Sequence, residues 1–137
     1  MIVKPNTLLL FLCLVICISC NTPSGKKMSA RLDNGEQIYQ RHCTACHQAD
    51  GNGIANHYPP LSNTKWVNGD KEELILILLE GLSGEMEVKG QVYNSIMSPY
   101  DFLSDQDIAD VLTYIRKNFS NDAEPISREE VAAVRSE

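Results

Sequence analysis

Two cysteines and a histidine are grouped in the pentapeptide Cys43-Thr44-Ala45-Cys46-His47. Two thiols three positions apart lie on one turn of a helix, where both can form thioethers with the vinyl groups of a single haem. The imidazole that follows the second thiol then lies beneath the haem iron as an axial ligand. This order and spacing predict one covalent haem c attached to Cys43 and Cys46, with His47 bound to the iron.

Two other uses of a Cys-x-x-Cys pair compete with haem attachment. A thioredoxin-like dithiol follows a strand in a βαβ unit, but the residues before Cys43 have a helical pattern. A structural zinc site needs four ligands, usually with a second close cysteine pair, and no cysteine follows Cys46. His42 and His57 could join His47 in such a site, so zinc stays the alternative to haem.

The second axial position of a haem is often filled by a thioether, which favours reduced iron and gives an electron-transfer centre. Two methionines, Met86 and Met97, lie in the segment 84–100, which contains Gly90 and Pro99 and has no helical period. We therefore expect this segment to be a structured loop that carries the second ligand. Met86 stands between two glutamates, which favours surface exposure of its side chain.

Three helices are predicted around the motif and the loop. Each begins at a capping side chain, Asp33, Asp70 or Ser104, with an acidic residue three positions later. The third helix has apolar residues at steps of three and four from Ile108 to Phe119. The predicted helices cover Asn34–Cys43, Asp70–Glu80 and about Ser104–Phe119.

The face of the third helix opposite to this apolar stripe is charged. It carries Asp105, Asp110, Arg116 and Lys117, and a charged face of this kind usually contacts water. We expect these four side chains to be solvated.

Length, charge and composition exclude several classes of protein. The chain has 137 residues, a formal net charge of -6 and 43% apolar residues, which is typical of one folded domain. Nucleic-acid binding is excluded because it needs clustered Lys and Arg to displace counterions from phosphates. The sequence has no Ser-His-Asp order and its carboxylates are scattered, which argues against an enzyme acting on a small-molecule substrate.

Residues 1–19 have the pattern of an export signal. Lys4 precedes an apolar run of eleven residues from Leu8 to Ile18, which suits a signal core but is too short to span a bilayer. The end of this segment resembles a bacterial lipobox, which predicts lipidation of Cys20 and a membrane anchor on the periplasmic side of the cell envelope. Cleavage by an ordinary signal peptidase is the alternative.

Residues 20–32 follow the signal and contain mostly small or charged residues without an apolar period. This composition predicts a flexible tether between the lipid anchor and the folded domain. Asn21 gives no clear signal for retention at the inner membrane, which favours the outer membrane.

The region from Asn34 to Phe119 resembles a small class I cytochrome c. Beside the haem motif, the resemblance rests on Asp50-Gly51-Asn52-Gly53, Tyr58-Pro59-Pro60-Leu61, Trp66, Tyr93-Asn94-Ser95-Ile96-Met97-Ser98-Pro99, Leu103-Ser104-Asp105 and Tyr114-Ile115-Arg116. It implies an all-α cytochrome c fold in residues 33–120, with about three main helices and loops wrapped around one haem. It also implies that Met97, which stands shortly before Pro99, is the axial ligand.

The same resemblance implies contacts around the haem. The carbonyl of Pro59 would accept a hydrogen bond from the second ring nitrogen of His47, which orients a ligand and raises its basicity. Trp66 would donate to a haem propionate or belong to the core. The first and last helices would cross through Gly35, Tyr39, Leu112 and Ile115. Residues 121–137 resemble C-terminal extensions of cytochromes associated with larger oxidoreductases, and a weak apolar stripe favours a short helix there.

A haem iron with both axial positions filled has no site for a substrate. The resemblance therefore implies a one-electron carrier rather than an enzyme, cycling between Fe(II) and Fe(III) and docking transiently with redox proteins. A tethered subunit of a larger oxidoreductase, serving as its dedicated electron donor or acceptor, is the first alternative. A haem enzyme or gas sensor is the second, and it would require Met97 to leave the iron.

Overall fold

The computed structural model describes residues 23–137, so the predicted signal at 1–19 and the lipidation site at Cys20 lie outside the described residues. The described part contains six helices and one two-stranded sheet. The helices are α1 Pro23–His42, α2 Thr44–His47, α3 Lys65–Asn68, α4 Lys71–Glu80, α5 Asp105–Lys117 and α6 Arg128–Arg135, and the strands are β1 Met86–Val88 and β2 Gln91–Tyr93. Within this part of the chain, no helix has the length and apolar character needed to cross a membrane.

The first helix begins well before its predicted start at Asn34. Because α1 starts at Pro23, the prediction of a flexible tether is wrong for residues 23–32. The extended helix is held by a contact distant in sequence, since Arg31 Nε lies 2.7 Å from Asp110 Oδ1 on α5.

Helices α1 and α5 cross at close range, as the resemblance implied. A Cβ atom at Gly35 would overlap the backbone carbonyl oxygen of Asp110, so only glycine permits this approach. Tyr39, Leu112 and Ile115 are buried beside the crossing. The crossing therefore forms the centre of the core.

The predicted starts of α4 and α5 are confirmed. The Asp70 side chain accepts a hydrogen bond from the amide of Glu73 at 3.0 Å, and the Ser104 hydroxyl accepts one from the amide of Asp107 at 3.2 Å. Each cap satisfies an amide that has no partner inside its helix. The apolar stripe of α5 is buried.

The prediction of a fully solvated charged face on α5 is wrong for two of its four residues. Asp110 and Arg116 are only 4% and 3% exposed. Asp110 is covered by α1 through Arg31, whereas Arg116 donates to the carbonyl oxygens of Val67 and Glu124. Segments from α1, α3 and the C-terminal region thus cover a face that an isolated helix would expose.

The segment 84–100 contains a short hairpin where a loop was predicted. Strands β1 and β2 pair antiparallel, with Met86 opposite Tyr93. They are joined by Lys89 and Gly90, whose φ angles of 53° and 77° match the positive values that two-residue hairpin turns require. Apart from this hairpin the described residues form helices and loops, so the predicted all-α class is confirmed.

The C-terminal segment packs into the same core. Helix α6 begins at a capping box, in which Ser127 and Glu130 each bond the other's backbone amide. Ile126 and Val131 have no exposed surface and join the main apolar cluster. The short helix expected in residues 121–137 is present and contacts α4 and α5.

Candidate functional site

The Cys-x-x-Cys-His motif lies at the end of α1. The amide of Cys43 still donates to the carbonyl of Tyr39 at 2.8 Å, so the helical path continues into the motif. Its residues then form the single turn α2, closed by a bond of 2.9 Å from the amide of His47 to the carbonyl of Cys43. This helical setting is not the strand-to-helix setting of a thioredoxin-like dithiol.

Both cysteines and the histidine line one mostly apolar cavity of about 210 Å³. Much of its wall consists of aliphatic side chains from α1, α4 and α5, including Ile38 and Leu112. Met97 lines the same cavity. The fold therefore brings together the two predicted attachment thiols and the two predicted iron ligands, and an apolar wall carrying these donors fits a haem.

The imidazole of His47 is held by the backbone carbonyl of Pro59, as the resemblance implied. Its Nδ1 lies 2.9 Å from the carbonyl oxygen of Pro59, and because a carbonyl only accepts, Nδ1 carries the proton. The other ring nitrogen, Nε2, is left with its lone pair for a metal. Burial lowers the pKa of His47, although the bond to Pro59 acts in the opposite direction. The net effect favours the neutral, metal-binding form.

The two thiols of the motif are free within the described chain and partly buried. Burial raises the pKa of the Cys43 thiol to about 12, and the nearby Cys46 adds to this effect. Cys43 is therefore protonated at neutral pH in this conformation. This thiol lies against the apolar cavity instead of in the electropositive setting of a catalytic cysteine.

The backbone of Met97 is fixed by the end of α4. Met97 and Leu82 exchange two backbone hydrogen bonds, of 2.8 and 3.0 Å. Three residues later, Tyr100 donates its amide to Leu78 at 2.7 Å and its hydroxyl to the carbonyl of His42 at 2.9 Å. The methionine is thus tied to α4 and, through Tyr100, to the end of α1 beside the motif.

Met86 lies in the cavity wall, which differs from the surface exposure that its sequence neighbours suggested. Its side chain is partly buried and lines the cavity with Met97. The reason is the strand: side chains two positions apart in a strand share a face, and Val88 on β1 is 2% exposed. Two thioethers therefore border the same space.

The remaining side chains considered from the sequence are Trp66, His42 and His57, and only the first two line the cavity. The indole Nε1 of Trp66 donates to the carbonyl of Glu87 at 3.0 Å, and its ring lines the cavity. His57 is exposed, whereas His42 lines the cavity edge-on to Tyr100. Within residues 23–137, no group of three His, Cys, Asp or Glu side chains is close enough to hold a metal, so nothing there supports the zinc alternative.

Comparison with known proteins agrees with this site. The sequence model of the family "Cytochrome c" matches residues 32–119. The chain belongs to the cytochrome c family. Membership means that it binds haem c covalently and acts as an electron carrier, without being an enzyme itself.

Three relatives illustrate the range of this family. This cytochrome is 38% identical to "Cytochrome c-552" of Thermus thermophilus over 75% of its own length and 85% of that protein. It is 30% identical to "Alcohol dehydrogenase (quinone), cytochrome c subunit" of Gluconobacter oxydans, over 65% of this chain but 19% of that subunit. It is 26% identical to "Fructose dehydrogenase cytochrome subunit" of Gluconobacter japonicus, over 86% of this chain and 25% of that subunit.

Sequence reasoning did not assign two features of this cytochrome's site. The backbone pairing of Leu82 with Met97 has no local pattern, because it joins residues fifteen positions apart. The hairpin that places Met86 does have one, since Lys89-Gly90 follows the alternating pair Met86 and Val88. That signal could have placed Met86 on the cavity side.

Proposed function

We propose that this cytochrome carries single electrons between redox proteins of the bacterial cell envelope, with haem attached to Cys43 and Cys46 and bound axially by His47 and Met97. The observation that carries the proposal is the convergence of these four residues on one apolar cavity. When bound, the haem supplies a reversible Fe(II)/Fe(III) couple. Two filled axial positions leave no site for a substrate.

The chain's own residues hold the group and adjust its chemistry. Two thioether bonds prevent dissociation, while the bond from His47 Nδ1 to the carbonyl of Pro59 orients the imidazole. Aliphatic side chains exclude water from the cavity, and a thioether ligand at Met97 favours the reduced ion. Rigid ligands also suit fast electron transfer, because little has to move when the charge of the iron changes.

The axial assignment is tested with matched methionine variants of the haem-loaded protein. We expect Met97→Ala to lose the long-wavelength band of thioether-bound ferric haem and to bind carbon monoxide rapidly when reduced. Met86→Ala is the control, because Met86 lines the same cavity, and it should keep the band. The opposite pattern would identify Met86 as the axial ligand. Haem that acidic organic solvent extracts from the protein would contradict covalent attachment.

A second candidate is a dedicated cytochrome subunit or partner of a larger oxidoreductase. It is supported by the relatives named as cytochrome subunits of dehydrogenases, although this chain spans only 19% to 25% of their length. Purification from the native membrane in mild detergent separates the two functions. A stable complex with a large redox enzyme favours the subunit, whereas a free monomer favours the mobile carrier.

We propose further that Cys20 is lipidated and attaches the protein to the periplasmic face of a membrane, with the outer membrane favoured. The proposal is supported by the signal-like segment 1–19, whose end before Cys20 resembles a lipobox. Metabolic labelling with a clickable fatty acid should mark the wild-type protein and not Cys20→Ala, and an unlabelled wild type would contradict the anchor.

A further inference from the structure

The side chain of Arg135, near the end of α6, contacts the segment between Met97 and α5. Its Nε lies 2.7 Å from Asp105 Oδ1. Its two terminal nitrogens donate to the carbonyl oxygens of Asp101 and Leu103, each at 2.8 Å. A guanidinium has five donors in a rigid planar arrangement, so one side chain fixes three acceptors at once.

The connection held by Arg135 is short, and Tyr100 supplies its hydrogen bonds to α4 and α1. Residues 98–103 join Met97 to the start of α5 without forming a helix or strand. Asp101 and Phe102 are exposed, and Phe102 keeps 66% of its surface accessible. The segment has one internal backbone bond, from the amide of Leu103 to the carbonyl of Tyr100 at 3.0 Å. Leu103 packs against the core, so the exposed turn at Asp101 and Phe102 is the part of the segment most able to open locally.

Helix α6 provides a fixed base for this contact. Val131 is completely buried four residues before Arg135, and a capping box at Ser127 and Glu130 closes the first turn of the helix. At the other end of α6, Lys71 forms an ion pair of 2.8 Å with Glu130. The position of Arg135 is therefore set by the core and not by the segment that it holds.

We propose that Arg135 is a positioning residue for the axial methionine: by holding residues 101–105 it keeps the Met97 segment closed over the cavity. This inference rests on the proposed ligation by Met97. The C-terminal helix thereby opposes the exchange of Met97 for an external ligand. Helix α6 would then protect the iron site in addition to packing against the core.

The test is the binding of imidazole to the oxidised, haem-loaded protein. Imidazole can bind only after Met97 leaves, so its apparent affinity is the intrinsic affinity scaled by the open fraction. We expect Arg135→Ala to bind imidazole about tenfold more tightly than the wild type, which corresponds to about 1.4 kcal/mol. Arg135→Lys keeps a charge for Asp105 but loses the planar donor set, and its affinity should lie between the two.

Lys71→Ala is the matched control. It removes an ion pair of the same helix without touching residues 98–103, so its imidazole affinity should equal that of the wild type. Equal increases in Arg135→Ala and Lys71→Ala would overturn the proposal, because a general loosening of α6 would then explain both. An unchanged affinity in Arg135→Ala would overturn it as well.

Hydrogen exchange gives a readout that does not depend on the iron. The amide of Leu103 should exchange faster in Arg135→Ala than in Lys71→Ala, and equal rates would contradict the contact with Arg135. This measurement also separates two kinds of failure. If Met97→Ala keeps its thioether band while Leu103 still exchanges faster in Arg135→Ala, the ligand assignment is wrong and the contact with the segment is correct.

Discussion

Gly81 shows how one residue at the end of α4 controls the backbone of the proposed ligand. Its φ of 78° lies in the left-handed region, which glycine adopts without strain. A Cβ atom at this position would overlap the carbonyl oxygen of Met97, and Pro99 lies 3.0 Å away. The absent side chain therefore allows Leu82 and Met97 to pair.

Alanine at Gly81 should damage the iron site as well as the fold. Backbone strain costs about 1–2 kcal/mol, and relief of the overlap has to displace Met97. We expect Gly81→Ala to weaken or abolish the thioether band of the oxidised protein. Gly84→Ala is the control, because Gly84 also has a positive φ, of 93°, but no atom within 4 Å of an added Cβ. A thioether band that stays unchanged in Gly81→Ala would show that binding of the methionine to the iron does not depend on the pairing of Leu82 with Met97.

At the scale of an element, α5 begins at a cap that also lowers the pKa of the Asp107 carboxyl. The Ser104 hydroxyl accepts from the amide of Asp107 and donates to Asp107 Oδ2 at 2.7 Å. Asn34 on α1 donates to the same carboxylate at 3.2 Å. The bond from Ser104 is the largest cause that lowers the pKa of Asp107 below its ordinary value of 3.8, and burial acts in the opposite direction.

Replacing Ser104 should destabilise α5 and change its response to acid. Loss of the cap costs about 1 kcal/mol. A carboxyl whose pKa is lowered by folding stabilises the protein above its unfolded pKa, and this contribution disappears as the pH falls through the folded pKa. We therefore expect the deficit of Ser104→Ala, measured by urea unfolding, to be larger at about pH 6 than at about pH 2. An equal deficit at both pH values would contradict the link to Asp107.

At the scale of the whole molecule, Arg31 joins three distant parts of the chain. From α1 it donates to Asp110 at 2.7 Å and to the hydroxyl of Thr113 at 3.0 Å, both on α5. It also donates to the carbonyl of Ile126, at the start of the C-terminal segment, at 2.5 Å. The side chain of Asp110 is only 5% exposed. This network connects both ends of the described chain to one helix.

Removing only the charge of Arg31 should lower the free energy of unfolding more than removing the charges of both Arg31 and Asp110. Arg31→Met leaves Asp110 as a buried charge without its cation, and loss of one partner of a buried pair costs about 3–5 kcal/mol. We expect the double variant Arg31→Met/Asp110→Asn to recover part of this loss, since asparagine removes the charge. Urea unfolding, monitored by circular dichroism, gives the free energy of unfolding of the single and the double variant. A double variant less stable than Arg31→Met would contradict an uncompensated charge as the cause.

Local patterns in the sequence determined the chemistry and much of the architecture. The spacing of Cys43, Cys46 and His47 predicted the haem, and capping pairs predicted the starts of α4 and α5, because such interactions join residues within one turn of helix. The family resemblance added the fold and the contact of Pro59 with His47. These features depend on neighbours or on motifs that the sequence displays directly.

Only the tertiary structure decided the features that depend on contacts between distant residues. It extended α1 back to Pro23, buried Asp110 and Arg116 on a face that seemed solvated, and placed Met86 in the cavity wall. A charge on a helix surface is solvated or buried according to what covers it. Here α1, α3 and the C-terminal segment cover the charged face of α5. The sequence of the helix itself contains no pattern that predicts these contacts, because they depend on residues far away in the chain.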